Sequence, residues 1–248
     1  MHFLSKKFRK RLLFGGMISS MFALILLIGF LLSPSLSYAH QHQHGQVSIF
    51  HNQPIEVDLT DAIDQALCRI QTADLYDEDV RFKLALESEA FYPQLVKAIL
   101  GDDVVKAFAN QSVVLAERRQ NRFFWQGKKF LSAQLLAHAL VHNLQFRHHG
   151  FWDANPLGRH AEWKWEGYAE YIAFGNQYGW RRILKAYLQA PEDDYSFVEF
   201  DQGEGTIRLH IRFLIMVAYS LEEKGMDYER LLADQTPFIE IWQELVNR

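Results

Sequence analysis

Residues 130–146 read Phe-Leu-Ser-Ala-Gln-Leu-Leu-Ala-His-Ala-Leu-Val-His-Asn-Leu-Gln-Phe. Leu136, Leu140, Val141 and Leu144 recur at helical spacing, and neither Gly nor Pro interrupts them. The spacing predicts a helix, which ends in a loop containing Gly150, Asn155, Pro156 and Gly158. His138 and His142 lie one turn apart on it, so both imidazoles project from one face and can share a metal ion. Alone the pair says little, because 11 histidines in 248 positions give such a spacing by chance about half the time. A second stretch adds weight. Trp163-Lys164-Trp165-Glu166-Gly167-Tyr168-Ala169-Glu170-Tyr171 puts a carboxylate, Glu166, on a second predicted helix 24 residues after His142. The connecting loop is long enough to fold that helix back over the first. Two histidines and a carboxylate form the ligand set of a catalytic zinc with a fourth position open to water.

Outward from this pair, the N-terminal side reads as strands and the C-terminal side as helices. Thr60 is the expected N-cap of a helix with Ile63, Leu67 and Ile70 on one face. Val80–Glu87 alternates apolar and mostly polar residues, the pattern of a half-buried strand, and Ser112–Ala116 reads as a second strand. Further helices are expected at about 160–176, 180–188, 206–223 and 237–247, and no internal repeat is seen. Strands followed by helices indicate an α+β fold, a small sheet packed against a mostly helical region. A single domain over residues 40–248 is expected.

With 49% hydrophobic and 23% charged residues, the chain is neither a disordered nor a collagen-like polymer. Thirty acidic against 26 basic residues provide no field for nucleic acid, which is excluded as a partner. The first 39 residues differ in kind. Lys6, Lys7, Arg9, Lys10 and Arg11 precede an apolar stretch from Leu12 to Leu32, then Pro34 and Ser37-Tyr38-Ala39. This reads as a signal peptide cleaved after Ala39, with an uncleaved membrane anchor as the alternative, since 21 apolar residues suffice to span a bilayer. In both cases the basic flank stays cytoplasmic and the remainder is exported, soluble or anchored to the cytoplasmic membrane. His40, His42 and His44 are expected in a solvated tail. Cys68, the only cysteine, excludes an internal disulfide and is expected as a small buried hydrophobe.

The two motifs together resemble the gluzincin group of zinc metallopeptidases. There a helix bearing H-E-x-x-H supplies two ligands, and a later helix, often W-x-x-E-G-x-A-x-Y, supplies the third. His138 and His142 match the histidines, Glu166 the glutamate ligand, and Gly167, Ala169 and Tyr171 its flanking pattern. The resemblance spans mainly residues 130–175 and implies a zincin-like fold, bound Zn2+ and a peptide or protein substrate or ligand. It fails at one position. The glutamate that follows the first histidine, the general base in that group, is here Ala139, which neither accepts nor donates a proton. Losing a general base costs about 10²–10⁴ in rate. The resemblance therefore implies a weak or inactive peptidase, or a non-catalytic peptide-binding or regulatory module on the same scaffold.

Glu162, Glu166 and Glu170 follow at four-residue steps on one helix face, which makes Glu170 or Glu162 the candidate substitute base, with contact to a histidine N–H or a solvated charge as their commoner role. His148, His149 and His160 read as exposed loop histidines, and Trp152, Trp163, Trp165 and Trp180 as core. His210 and Tyr219 are the candidates for stabilising an oxyanion, by analogy with the resembled group.

Overall fold

The computed structural model describes residues 6–175, 179–199 and 205–247, with side chains from Met17 onward. The basic residues Lys6–Arg11, the beginning of the apolar stretch at Leu12 and the far end of the second motif helix at Asn176 therefore lie, wholly or in their side chains, outside the described residues. Helices and a small mixed sheet build the fold, as the α+β reading anticipates.

The first helix, α1 (Lys6–Leu31), ends at a short 3-10 turn, Pro34–Leu36. Five strands follow it into one sheet: β1 (His40–His44), β2 (Val47–His51), β3 (Phe82–Ala85), β4 (Val105–Phe108) and β5 (Gln111–Val114). Their spatial order is β1-β2-β3-β5-β4. The central pairs β2–β3 and β3–β5 are parallel and the two edge pairs antiparallel. Each parallel step is bridged by a helix, α2 (Val57–Ile70) after β2 and α3 (Phe91–Leu100) after β3. Alternation along the strands sends Val47, Ile49, Phe82, Leu84 and Val114 into the main core, while Ala85 and Val113 face a smaller one with Tyr92, Val96 and Leu115. The sheet is thus covered on both faces.

A meander of β6 (Glu117–Arg119), β7 (Arg122–Trp125) and β8 (Lys128–Leu131) leads into α4 (Ser132–Asp153). The β7–β8 loop, Gln126-Gly127, has both residues at positive φ (47° and 77°), the two-residue turn whose twist matches an antiparallel pair. Beyond α4 come α5 (Glu162–Phe174), α6 (Trp180–Gln189), a two-stranded ribbon of β9 (Phe197–Glu199) and β10 (Gly205–Ile207), α7 (Arg208–Ala218) continued by a π-helical turn to Glu223, α8 (Tyr228–Ala233) and α9 (Phe238–Val246).

Several local expectations need correction. Helix α2 begins at Val57 with Glu56 as its N-cap, and Thr60 instead donates to the Val57 carbonyl from inside the first turn. Cys68 is exposed: the buried stripe of α2 is Leu59, Ala62, Ile63, Ala66 and Ile70, and position 68 falls on the opposite face. His40, His42 and His44 form an exposed edge strand on β2 rather than a free tail. Gly150, expected in the loop, kinks the last turn of α4 with φ 74°. Trp163, Trp165 and Trp180 are buried, but Trp152 is 77% exposed. From Met17 onward, where side chains are described, no helix is long and apolar enough to cross a membrane.

Candidate metal centre

Every residue of α4 from Ser132 to Gln145 is buried, so its two histidines reach the interior and their positions are set by what grips the helix. Three buried amides do so. Gln134 exchanges two hydrogen bonds with the backbone of Gly205 on β10. Asn143 accepts from the Ser112 hydroxyl and donates to the Gln111 carbonyl at 2.9 Å, which fixes α4 on β5. Gln145 donates to the Trp165 carbonyl and the Tyr228 hydroxyl, tying the helix to α5 and α8.

Gln145 also settles the chemistry of His142. With its NH2 spent on Trp165 and Tyr228, its Oε1 faces His142 Nδ1 at 2.7 Å and accepts the proton there. In the neutral imidazole that a metal ligand requires, His142 Nε2 consequently presents a lone pair to the inside of the site. It lies 3.0 Å from His138 Nε2 and 3.2 Å from Glu166 Oε2, and the third side of the triangle, His138 Nε2 to Glu166 Oε2, is 3.5 Å. Two donors at ~2.0–2.1 Å from a tetrahedral zinc stand roughly 3.3–3.4 Å apart, so the three atoms fit one such ion. All three ligand positions read from the sequence meet, the two histidines from α4 and the glutamate from α5.

Glu166 reaches the histidines because α5 lies across α4, and the α5 position is fixed from behind by α7. A Cβ on Gly167 would come within 2.6 Å of the Phe213 carbonyl and 2.7 Å of the Val217 side chain. The glycine after Glu166 is required by helix packing and not by chemistry. Arg69 on α2 further donates to the Ala173 carbonyl near the end of α5.

Behind His138 sits a second layer. Glu170, 3% exposed, accepts from His210 Nδ1 at 2.9 Å and from the Thr206 hydroxyl at 3.0 Å. It also faces His138 Nδ1 at 3.5 Å, and that ring nitrogen has no hydrogen bond of its own. The His210 ring stacks on His138 with centroids 6.0 Å apart. Burial by itself would lower the His138 pKa, but Glu170 and Glu166 outweigh it and raise it to about 10. Burial would raise both carboxyls, yet His142 and His138 hold Glu166 well below the usual range, and His138 and His210 do the same for Glu170. Positive charge on the histidines thus stabilises both carboxylates: His138 and His210, both with raised pKa, carry it beside the buried Glu170 and the part-exposed Glu166.

The arrangement is nearly closed. His138 and His142 are each 9% exposed, and the Glu166 side chain, at 24%, forms most of the accessible surface. Ala139 is 1% exposed. Glu162 is exposed in the first turn of α5 and makes no part of the triangle. Tyr219 donates to Glu244 and is not among the contacts of the cluster. Sequence reading missed Gln145, Thr206 and the pairing of His210 with Glu170. Only Gln145 left a signal, as an amide three residues beyond the second histidine on the same helix.

A second group, His148, His149 and Glu229, also brings ligand atoms within 4.8 Å of one another. His148 Nε2 lies 2.7 Å from Glu229 Oε1, both side chains exposed. His149 and His160 are half-buried against Trp165 rather than exposed. No family model, curated protein or solved structure matches the chain, so the likeness to gluzincins rests on the residues of α4 and α5 themselves.

Proposed function

We propose that this is an exported zinc-binding protein of metallopeptidase-like design, with His138, His142 and Glu166 as ligands and with hydrolysis weak or absent. The observation that carries the reading is the triangle of His138 Nε2, His142 Nε2 and Glu166 Oε2, with sides of 3.0–3.5 Å. Zinc in such a site supplies Lewis-acid polarisation of a carbonyl and a lowered pKa for water. The chain's own groups hold the ligands: Gln145 fixes the His142 tautomer, and Glu170, itself held by His210 and Thr206, faces the outer nitrogen of His138. Glu170 touches His138 from the side away from the triangle, which favours a positioning role over that of substitute base. Nothing at position 139 moves a proton.

The near-closure of the site favours the second reading, a non-catalytic module that binds a peptide or protein ligand. Measuring zinc per chain after purification without a histidine tag, together with turnover of unstructured peptides, tests the proposal. Near one zinc and little turnover are expected. Absence of zinc after equilibration with excess metal would defeat it.

A further inference from the structure

The end of α1 is not a loose leader but a piece of the smaller core. Phe30, Leu31 and Tyr38 pack against Ala85, Tyr92, Val96, Val113 and Leu115, with the Phe30 and Tyr38 rings 6.1 and 6.2 Å from that of Tyr92. The Leu31 carbonyl accepts hydrogen bonds from Tyr92 and Gln111, two side chains that are 0% and 1% exposed. Lys83 donates to the Leu32 carbonyl and Tyr38 to that of Leu86. Pro34 is buried. Cleavage after Ala39 would strip this cover from one face of the sheet. Either the Tyr92 donor stays buried without a partner or the small core opens to water, and both are unfavourable.

The part of α1 ahead of this anchor point has the opposite character. From Met17 to Ile28 its large side chains are exposed on all sides of the helix, Met21, Phe22, Ile25 and Leu26 each by more than half. A helix that is apolar all round has no face to turn to water, which rules out a groove or a membrane surface and suits immersion in hydrocarbon. The sequence carries the apolar run back to Leu12. At 1.5 Å per residue, Leu12–Leu32 is roughly 31 Å long, the thickness of a bilayer core, and Lys6–Arg11 ahead of it suit the cytoplasmic headgroups. Where the helix meets the domain, Leu32, Leu36 and Phe91 are exposed apolar residues, as a surface lying against lipid requires.

We infer that the segment is retained: the chain is not cut after Ala39, residues 30–39 belong permanently to the fold, and α1 is seated in a lipid bilayer. The inference goes beyond the proposed function and holds whether or not zinc binds. The test is the intact mass and carbonate-extraction behaviour of the full chain, carrying a C-terminal tag and produced at low level. The full-length mass in carbonate-washed membranes is expected. A product beginning at His40 would overturn retention, and a full-length but extractable protein would overturn the bilayer seat. In detergent, Phe30→Ala with Tyr38→Ala should lower the melting temperature by several degrees while Phe22→Ala leaves it unchanged. Equal melting of all three proteins would overturn the docking of the segment.

Discussion

The sharpest consequences lie at single side chains. His142→Ala and Glu166→Ala each remove one of three protein ligands and are expected to abolish zinc binding, as read by metal content after dialysis; unchanged stoichiometry in both would remove the metal centre. Glu170→Gln keeps the shape but takes away the charge facing His138, and a loss of roughly 10–100-fold in zinc affinity is expected. The pH dependence follows from His138. Its pKa rises from the ordinary 6.5 to about 10 in the metal-free fold, so its contribution to stability is complete below about 6.5 and is lost as pH climbs through 10. Zinc needs that nitrogen deprotonated, so its affinity should grow over the same range and binding at neutral pH should release a proton. Melting curves from pH 6.5 to 9.5 should therefore fall for chelator-treated protein while the increment given by zinc widens. A zinc increment that shrinks with rising pH would contradict the protonated His138.

At the scale of elements, Gly167 is the joint between α5 and α7. Gly167→Ala forces a methyl group into the Phe213 carbonyl and should cost ~1–3 kcal/mol, the usual penalty of overpacking. A drop of several degrees in melting temperature, with zinc affinity weakened because Glu166 rides on the same helix, is the expected outcome; parent-like melting would show that the helices yield freely. The same joint explains what could be read from the sequence. Helices α4, α5 and α9 and strands β3 and β5 announce themselves by periodicity, because each buries one continuous stripe or face, or is buried throughout. Strands β6 to β8 are three or four residues long and rich in Arg and Lys, and their pairing is set by two-residue turns that no hydrophobic pattern marks. Helix α3 carries Pro93, which reads as a breaker in the sequence but sits in the first turn, where it costs the helix little. Within the site, the convergence of His138, His142 and Glu166 was legible because spacing on helices fixes direction. The partners Thr206 and His210 were not, since β10 and α7 behind α5 bring them to Glu170 from 36 and 40 residues away.

For the whole molecule the question is what the proposed zinc site, with Ala139 beside it, can accomplish. A methyl group cannot carry a proton from attacking water to a leaving amine, so peptide hydrolysis by the unmodified protein should fall short of an enzyme with that base by about 10²–10⁴. Burial sharpens the test of this deficit. Ala139 is 1% exposed in a helix packed on every side, so Ala139→Glu must place a carboxylate where charge is costly, and the variant should melt below the parent. Zinc lowers that cost, because the new carboxylate would lie one residue from His138 on the metal-bearing helix. The stability gap between variant and parent should thus be smaller with zinc than with chelator. In the zinc-loaded state the variant is expected to cleave an unstructured peptide faster than the parent and to bind zinc more tightly, as the narrowed stability gap requires. Fast zinc-dependent proteolysis by the unmodified chain would sink the weak-enzyme reading and would require a base outside position 139. A stable, zinc-loaded Ala139→Glu protein that cleaves nothing would instead show that the closed site admits no scissile bond, and the scaffold would be a binding module whose zinc organises α4 against α5.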